Sequence, residues 1–127
     1  MNKAMFLAVA DKLDSLTGSL AELYDQSTYS QPVSCGTAHC IGGWAIEIEA
    51  QRQGKSYRSF MGTHSQSIVA SQLLGLHKPE CVASLRIFSP TFMLGSTPQQ
   101  VAKRLREFVK AGRVRFRKSD FPLRVNS

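Results

Sequence analysis

TPQQVAKRLREFVKAGRVRFR, residues 97–117, decides the fold class. Thr97 at a cap, Pro98 at the first helical position and Gln100 at the third form a capping box, the clearest helix start in the chain. Val101, Leu105, Phe108 and Val109 recur at helical spacing, and Gly112 supplies the stop. Arg113-Val114-Arg115-Phe116-Arg117 then alternates strictly, as a short half-buried strand does, with Val114 and Phe116 inward. The reading is a basic helix and strand over 97–118 and an extended tail over 119–127.

Working back from this segment, the pattern stays helical. Phe6, Val9, Leu13 and Leu16 make one helical face, and Thr17-Gly18 breaks it. Leu20, Leu23 and Tyr24 suggest one further turn, and residues 25–34 read as a loop. Thr37 fits an N-cap for a helix over 38–52 with Ile41, Trp44, Ala45 and Ile48 on one face. Residues 53–64 read as a loop, and residues 65–76 as a helix with Gly75 near its end. Pro79 suits the first turn of a helix to Phe88 that buries Val82 and Leu85. The expectation is a mainly α, compact single domain, residues 1–127, of about five helices with a short C-terminal strand.

Charge is unevenly placed. From Lys103 onward, nine basic side chains stand against Glu107 and Asp120, which accounts for the whole net charge of +7. Such polarity suits an anionic partner: phosphates of a nucleotide or nucleic acid, or an acidic protein surface. No run approaches a membrane span, and no export signal is visible, so the expected setting is the cytoplasm, without a membrane. Three cysteines, Cys35, Cys40 and Cys81, are then expected to be reduced.

The segment SCGTAHCIGGWA, residues 34–45, concentrates unusual choices. Cys35 near a helix start fits a nucleophile with a lowered pKa, and His39 or His64 would serve it as base. Cys35, His39, Cys40, His64 and Cys81 are donors enough for zinc, but Cys-x3-His-Cys lacks a paired knuckle, so no metal or other cofactor is assigned. Thr37, His39, Gly42, Gly43 and Trp44 fit a ligand pocket in which glycines let a ligand approach the backbone and Trp44 stacks on a base. Lys103, Arg104, Arg106, Arg113, Arg115 and Arg117 would close such a pocket over a phosphate. Against all three stands packing alone, since cysteine and tryptophan are commonly buried and glycines let helices pack tightly. Each glycine costs about 1 kcal/mol in a helix, so another backbone or a ligand should approach it closely.

Gln31 followed by Cys35-Gly36 and a helix is similar, over some fifteen residues, to papain-like cysteine peptidases, but lacks their tryptophan directly after the Cys-Gly-x-Cys run. Cys35-Gly36-Thr37-Ala38-His39-Cys40 with Gly43-Trp44-Ala45 more closely resembles a CGTxxCxAGWA pattern in small bacterial and bacteriophage proteins. That resemblance continues in ASQLLGL, residues 70–76, and in Thr97-Pro98 with residues 101–105, and departs at Gly42, where alanine is usual. It implies a phage-associated or mobile-element protein and assigns no residue a role.

The functional expectation is a small intracellular binding or inhibitor protein rather than an enzyme. It would capture an anionic, nucleotide-like ligand and so sequester a host signal. One alternative is a cysteine-dependent hydrolase using Cys35. Another is a basic-surface protein that contacts nucleic acid without sequence preference or blocks a host nucleic-acid-binding complex. A helix-turn-helix within 65–88 is poorly equipped to read a groove, since Arg86 is the only long basic side chain on its second helix. Oligomerisation is left open.

Overall fold

Thr97 accepts from the Gln100 amide at 3.2 Å and Gln100 Oε1 accepts from the Thr97 amide at 2.8 Å, so the capping box forms as read. It starts the longest helix of a computed structural model that describes residues 1–33, 36–76 and 82–122. The elements in chain order are α1 (Lys3–Asp14), a 3-10 helix (Gly18–Leu23), β1 (Gln31–Val33), β2 (Gly36–Ala38), α2 (Ile41–Arg52) and α3 (Tyr57–Met61). They continue with α4 (Gln66–Leu73), α5 (Val82–Ile87), α6 (Pro98–Ala111) and a second 3-10 turn (Lys118–Asp120). The chain is mainly helical. Cys35, His77, Pro79, Cys81, Arg124 and the tail beyond residue 122 lie outside the described residues, as do the side chains of Val82 and Leu85.

The most extensive helix pairing is α1 against α6. Val101, Ala102, Leu105 and Phe108 meet Met5, Phe6, Val9, Ala10 and Leu13, all buried. Each large apolar side chain so buried contributes about 1.5–3 kcal/mol. Arg106 adds a staple on the outside of the pair, 2.9 Å from Asp11 and also bonded to Asp14. Exposed pairs of that kind contribute at most about 1 kcal/mol, so apolar burial holds the two helices together. Behind them α2 is buried around much of its first two turns, from Ile41 to Ile46, which marks it as the central helix.

Three amide side chains join helix ends to one another. Asn2 caps α1 by accepting from the Met5 amide and donates to the Leu73 carbonyl at the end of α4. Gln99, in the first turn of α6, donates to the carbonyls of Leu13, in the last turn of α1, and of Leu16 just beyond it. Gln26 donates to the carbonyls of Ile87 and Ser89 after α5, while its Oε1 accepts from Tyr24 and, at 3.4 Å, from the Ile41 amide that opens α2. Helix ends leave amides and carbonyls without intrahelical partners, and these side chains supply them.

Four readings of the sequence are corrected. Thr37 is not the cap of α2: it is exposed and lies in β2 opposite Pro32. The amides of His39 and Cys40 bond to Leu23 and Thr28, so helical bonding begins only at Ile41 and Cys40 takes the cap position. The loop read over 25–34 contains β1, paired antiparallel with β2, and the loop read over 53–64 contains α3. The C-terminal strand does not form. Residue 113 forms a bend and residues 114–117 no regular element, with Arg113, Arg115 and Arg117 exposed and Val114 and Phe116 half-buried, and no strand lies beside them among the described residues. Alternation requires only an apolar surface beneath the segment, whereas a ladder requires a neighbouring edge.

The two glycines of α2 are explained by close approach of Tyr29, joined at Gly42 by Ala70 of α4 and by Phe88. A Cβ at Gly43 would lie 1.9 Å from the Tyr29 carbonyl oxygen, and one at Gly42 would lie 2.9 Å from the Tyr29 ring. What approaches the helix is therefore the protein's own chain. Gly43→Ala should lower stability by about 3 kcal/mol or more, because backbone must move. Gly42→Ala should cost less, since what it meets is side chain rather than backbone, the Tyr29 and Phe88 rings and the Ala70 methyl, and alanine regains about 1 kcal/mol of helix propensity. Urea unfolding of both variants checks the order.

Candidate functional site

The residues expected to form one pocket fall into two separate sets. His39 is 2% exposed and Trp44 4%. His39 Nδ1 lies 2.7 Å from the Tyr29 carbonyl oxygen, which can only accept, so Nδ1 carries the proton. The imidazole stacks on Tyr57 at 5.2 Å and meets Trp44 edge-on at 4.7 Å. Trp44 donates to the Leu23 carbonyl, and Lys12 covers its ring at 5.0 Å. With Gly42 and Gly43 closed by Tyr29, neither the indole nor the glycine backbone is presented to a ligand. Burial, only partly offset by the Tyr29 carbonyl and Glu47, lowers the His39 pKa below its ordinary value.

The chemistry proposed for the cysteines receives little from the described residues. Burial pushes the Cys40 thiol up to about 11, against the lowering effect of the amides at the start of α2. Cys35 lies outside the described residues. His64 stands on an exposed turn with Nδ1 3.1 Å from the Met61 carbonyl. Among the described residues no three histidine, cysteine or acidic side chains converge as metal ligands do.

The C-terminal cations divide by role. Arg104 is 7% exposed and makes a bidentate pair with Asp120, at 2.8 and 2.9 Å, while also donating to the Arg115 carbonyl at 2.5 Å. Its guanidinium lies over the Phe108 ring at 4.3 Å. Asp120 accepts in addition from the Arg117 amide. Arg104 therefore ties the segment after α6 down onto that helix, and Arg106 ties α6 to α1. Lys103, Arg113, Arg115 and Arg117 are exposed, as is Lys118.

The segment held by Arg104 walls a recess of about 750 Å³ that is open to solvent. Arg86, Phe116, Arg117, Lys118, Ser119, Phe121 and Pro122 line it. The Arg86 guanidinium lies 4.5 Å from the Phe121 ring centre and 5.5 Å from that of Phe116. Phe92, Phe108, Phe116 and Phe121 pack into one aromatic cluster beneath. Two smaller recesses adjoin, of about 330 Å³ with Arg115 and about 240 Å³ with Lys103, and Arg117 lines all three. Glu107 lines both smaller ones, 3.5 Å from Arg117. Among the described residues no carboxylate pairs with Arg86 or Lys118. None of these recesses is lined by Thr37, His39, Gly42, Gly43 or Trp44.

Arg86, Phe121 and Asp120 were not singled out as functional in the sequence. Arg86 stands thirty residues before Phe116, and nothing in the spacing joins them. The period-2 pattern after Gly112 did place Phe116 inward, which is one wall of the recess. No family model matches the chain, and neither a curated protein nor a solved structure is similar to it.

Two stability predictions follow from these contacts. A base whose native pKa is lowered disfavours folding once the unfolded chain takes up the proton. His39 should therefore reduce stability as pH falls from about 6.5 toward its lowered native value. Melting temperatures of the wild type and His39→Gln across that range should show a shallower decline in the variant. Asp120→Ala leaves Arg104 buried without its partner and should cost about 3–5 kcal/mol, whereas Arg104→Met with Asp120→Leu should recover much of that loss. Denaturant midpoints of the single and double variants decide.

Proposed function

We propose that this chain is a binding protein for a phosphate-bearing anionic partner, which it engages through the face running from Arg86 and Lys118 past Arg117 and Arg115 to Lys103. The observation that supports this reading best is the run of adjoining recesses sharing Arg117, with cations at the edges and phenyl rings at the wall of the largest. Cations alone would suit any polyanion. Rings beside them suit a partner that alternates phosphate with flat apolar surface, which is the chemistry of nucleotides and nucleic acids. A single nucleotide fills the largest recess alone, and a strand continues into the other two, so a strand uses more of the face.

The setting implied by the motif resemblance belongs to the same proposal: a phage-associated protein of this kind would sequester or block a nucleic-acid-bearing host component. The residues 37–44 then act in folding rather than in contact with the partner.

Binding of a labelled oligothymidylate to the full chain tests the reading. Affinity should fall steeply with salt, and Arg115→Glu with Lys118→Glu should weaken it and flatten the salt slope by about 0.7 per lost phosphate contact. Lys55→Glu, on the exposed turn after α2, should change little. A flat salt response, or unchanged affinity in the double variant, would remove the proposal.

A further inference from the structure

The recess at Arg86 differs from the rest of the basic face in having an aromatic wall. Phe116 and Phe121 are half-buried, with ring centres 5.5 Å apart and planes inclined at 59°. Arg86 is exposed, and its guanidinium carbon lies 4.5 Å from the Phe121 ring centre and 5.5 Å from that of Phe116, so the cation is held at the phenyl wall while the side chain stays open to solvent. A planar cation held in this way is a stacking surface for a second flat group. A volume of about 750 Å³ is ample for one nucleotide unit.

The state of the nucleic acid follows from what each form can present. A duplex keeps its base faces inside the stack and offers only phosphates and base edges, so it would engage the cations of the recess and leave the aromatic wall without a face to stack on. Within this face Phe116 packs edge-on against Phe108 of α6, ring centres 5.9 Å apart, so the segment 113–117 is held against that helix. A single strand exposes both base faces and phosphates, and binds grooves that combine cations with rings.

We infer that the Arg86–Phe116–Phe121 recess is a base-stacking subsite for single-stranded nucleic acid. One unstacked base lies against the Arg86 guanidinium and the phenyl wall. The phosphates flanking it are met by Lys118 and Arg117, and the strand continues past Arg115 toward Lys103. The inference rests on the nucleic-acid reading above and adds the strand state and the residue that receives the base.

The test compares three labelled probes of equal length, about 16 nucleotides, the upper end of a single-strand site. They are an oligothymidylate, an abasic oligomer of the same backbone charge, and a duplex. The oligothymidylate should bind about tenfold or more tighter than the abasic oligomer. Arg86→Ala, an exposed substitution, should weaken the oligothymidylate much more than the abasic oligomer and so remove most of that preference, and Phe121→Leu should reduce it. Equal affinity for the oligothymidylate and the abasic oligomer would overturn the stacking subsite and leave the electrostatic proposal standing. Tighter binding of the duplex, or a base preference that survives in both variants, would also overturn it. Failure of all three probes to bind at low salt would overturn both proposals together.

Discussion

The buried pair between Arg104 and Asp120 is the constraint on which the candidate site depends. The segment after α6 has no strand beside it among the described residues, so no ladder holds it in place. It is held instead by a single guanidinium that reaches Asp120 and the Arg115 carbonyl, and by the four phenylalanines packed beneath. A buried ion pair adds little net stability, because its desolvation offsets its attraction. What it adds is position: of the ways the segment could cover the aromatic cluster, it selects the one in which Asp120 is satisfied. That choice brings Phe121 and Lys118 to Arg86. The strongest charges in the C-terminal quarter therefore divide into one that builds the face and several that the face displays.

A second constraint acts at the other end of the core. The Tyr29 carbonyl is pressed against Gly43 and accepts from His39, so one backbone oxygen sets both the close approach and the imidazole orientation. The concentration of histidine, glycine and tryptophan in residues 37–44 then has a common cause. The helix must admit a loop, the loop needs a donor, and Trp44 closes the far side. These residues resemble a binding site in composition because dense polar packing and ligand binding draw on the same side chains.

Features governed by neighbours in sequence were legible in advance. The Thr97 capping box, the left-handed Gly112 stop and the requirement for close approach at Gly42-Gly43 depend on local backbone geometry, and the structure has each of them. What came to Gly43 was not legible, because Tyr29 reaches it through a hairpin whose strands are three residues long. Strands so short carry no period to read. Helix α3, with five residues between two glycine-containing turns, is equally weak as a pattern. The division of the C-terminal cations was hidden for another reason. Arg104 and Arg106 have the same composition and neighbourhood as Lys103, and only the burial of Asp120 and the nearness of α1 separate their roles.

Gln26 gives these two ends of the molecule a mechanical relation. Its Oε1 accepts from the first amide of α2 as well as from Tyr24, and its Nε2 donates to the last carbonyls around α5, so one side chain bridges two helix termini. Arg86 sits in the last turn of α5, one residue before the carbonyl that Gln26 holds. The platform on which a base would rest is thus anchored to the same helix start that Tyr29 compresses. One side-chain amide thus joins the turn that carries Arg86 to the helix that the Tyr29 loop packs against, and residues distant in the chain share a single support.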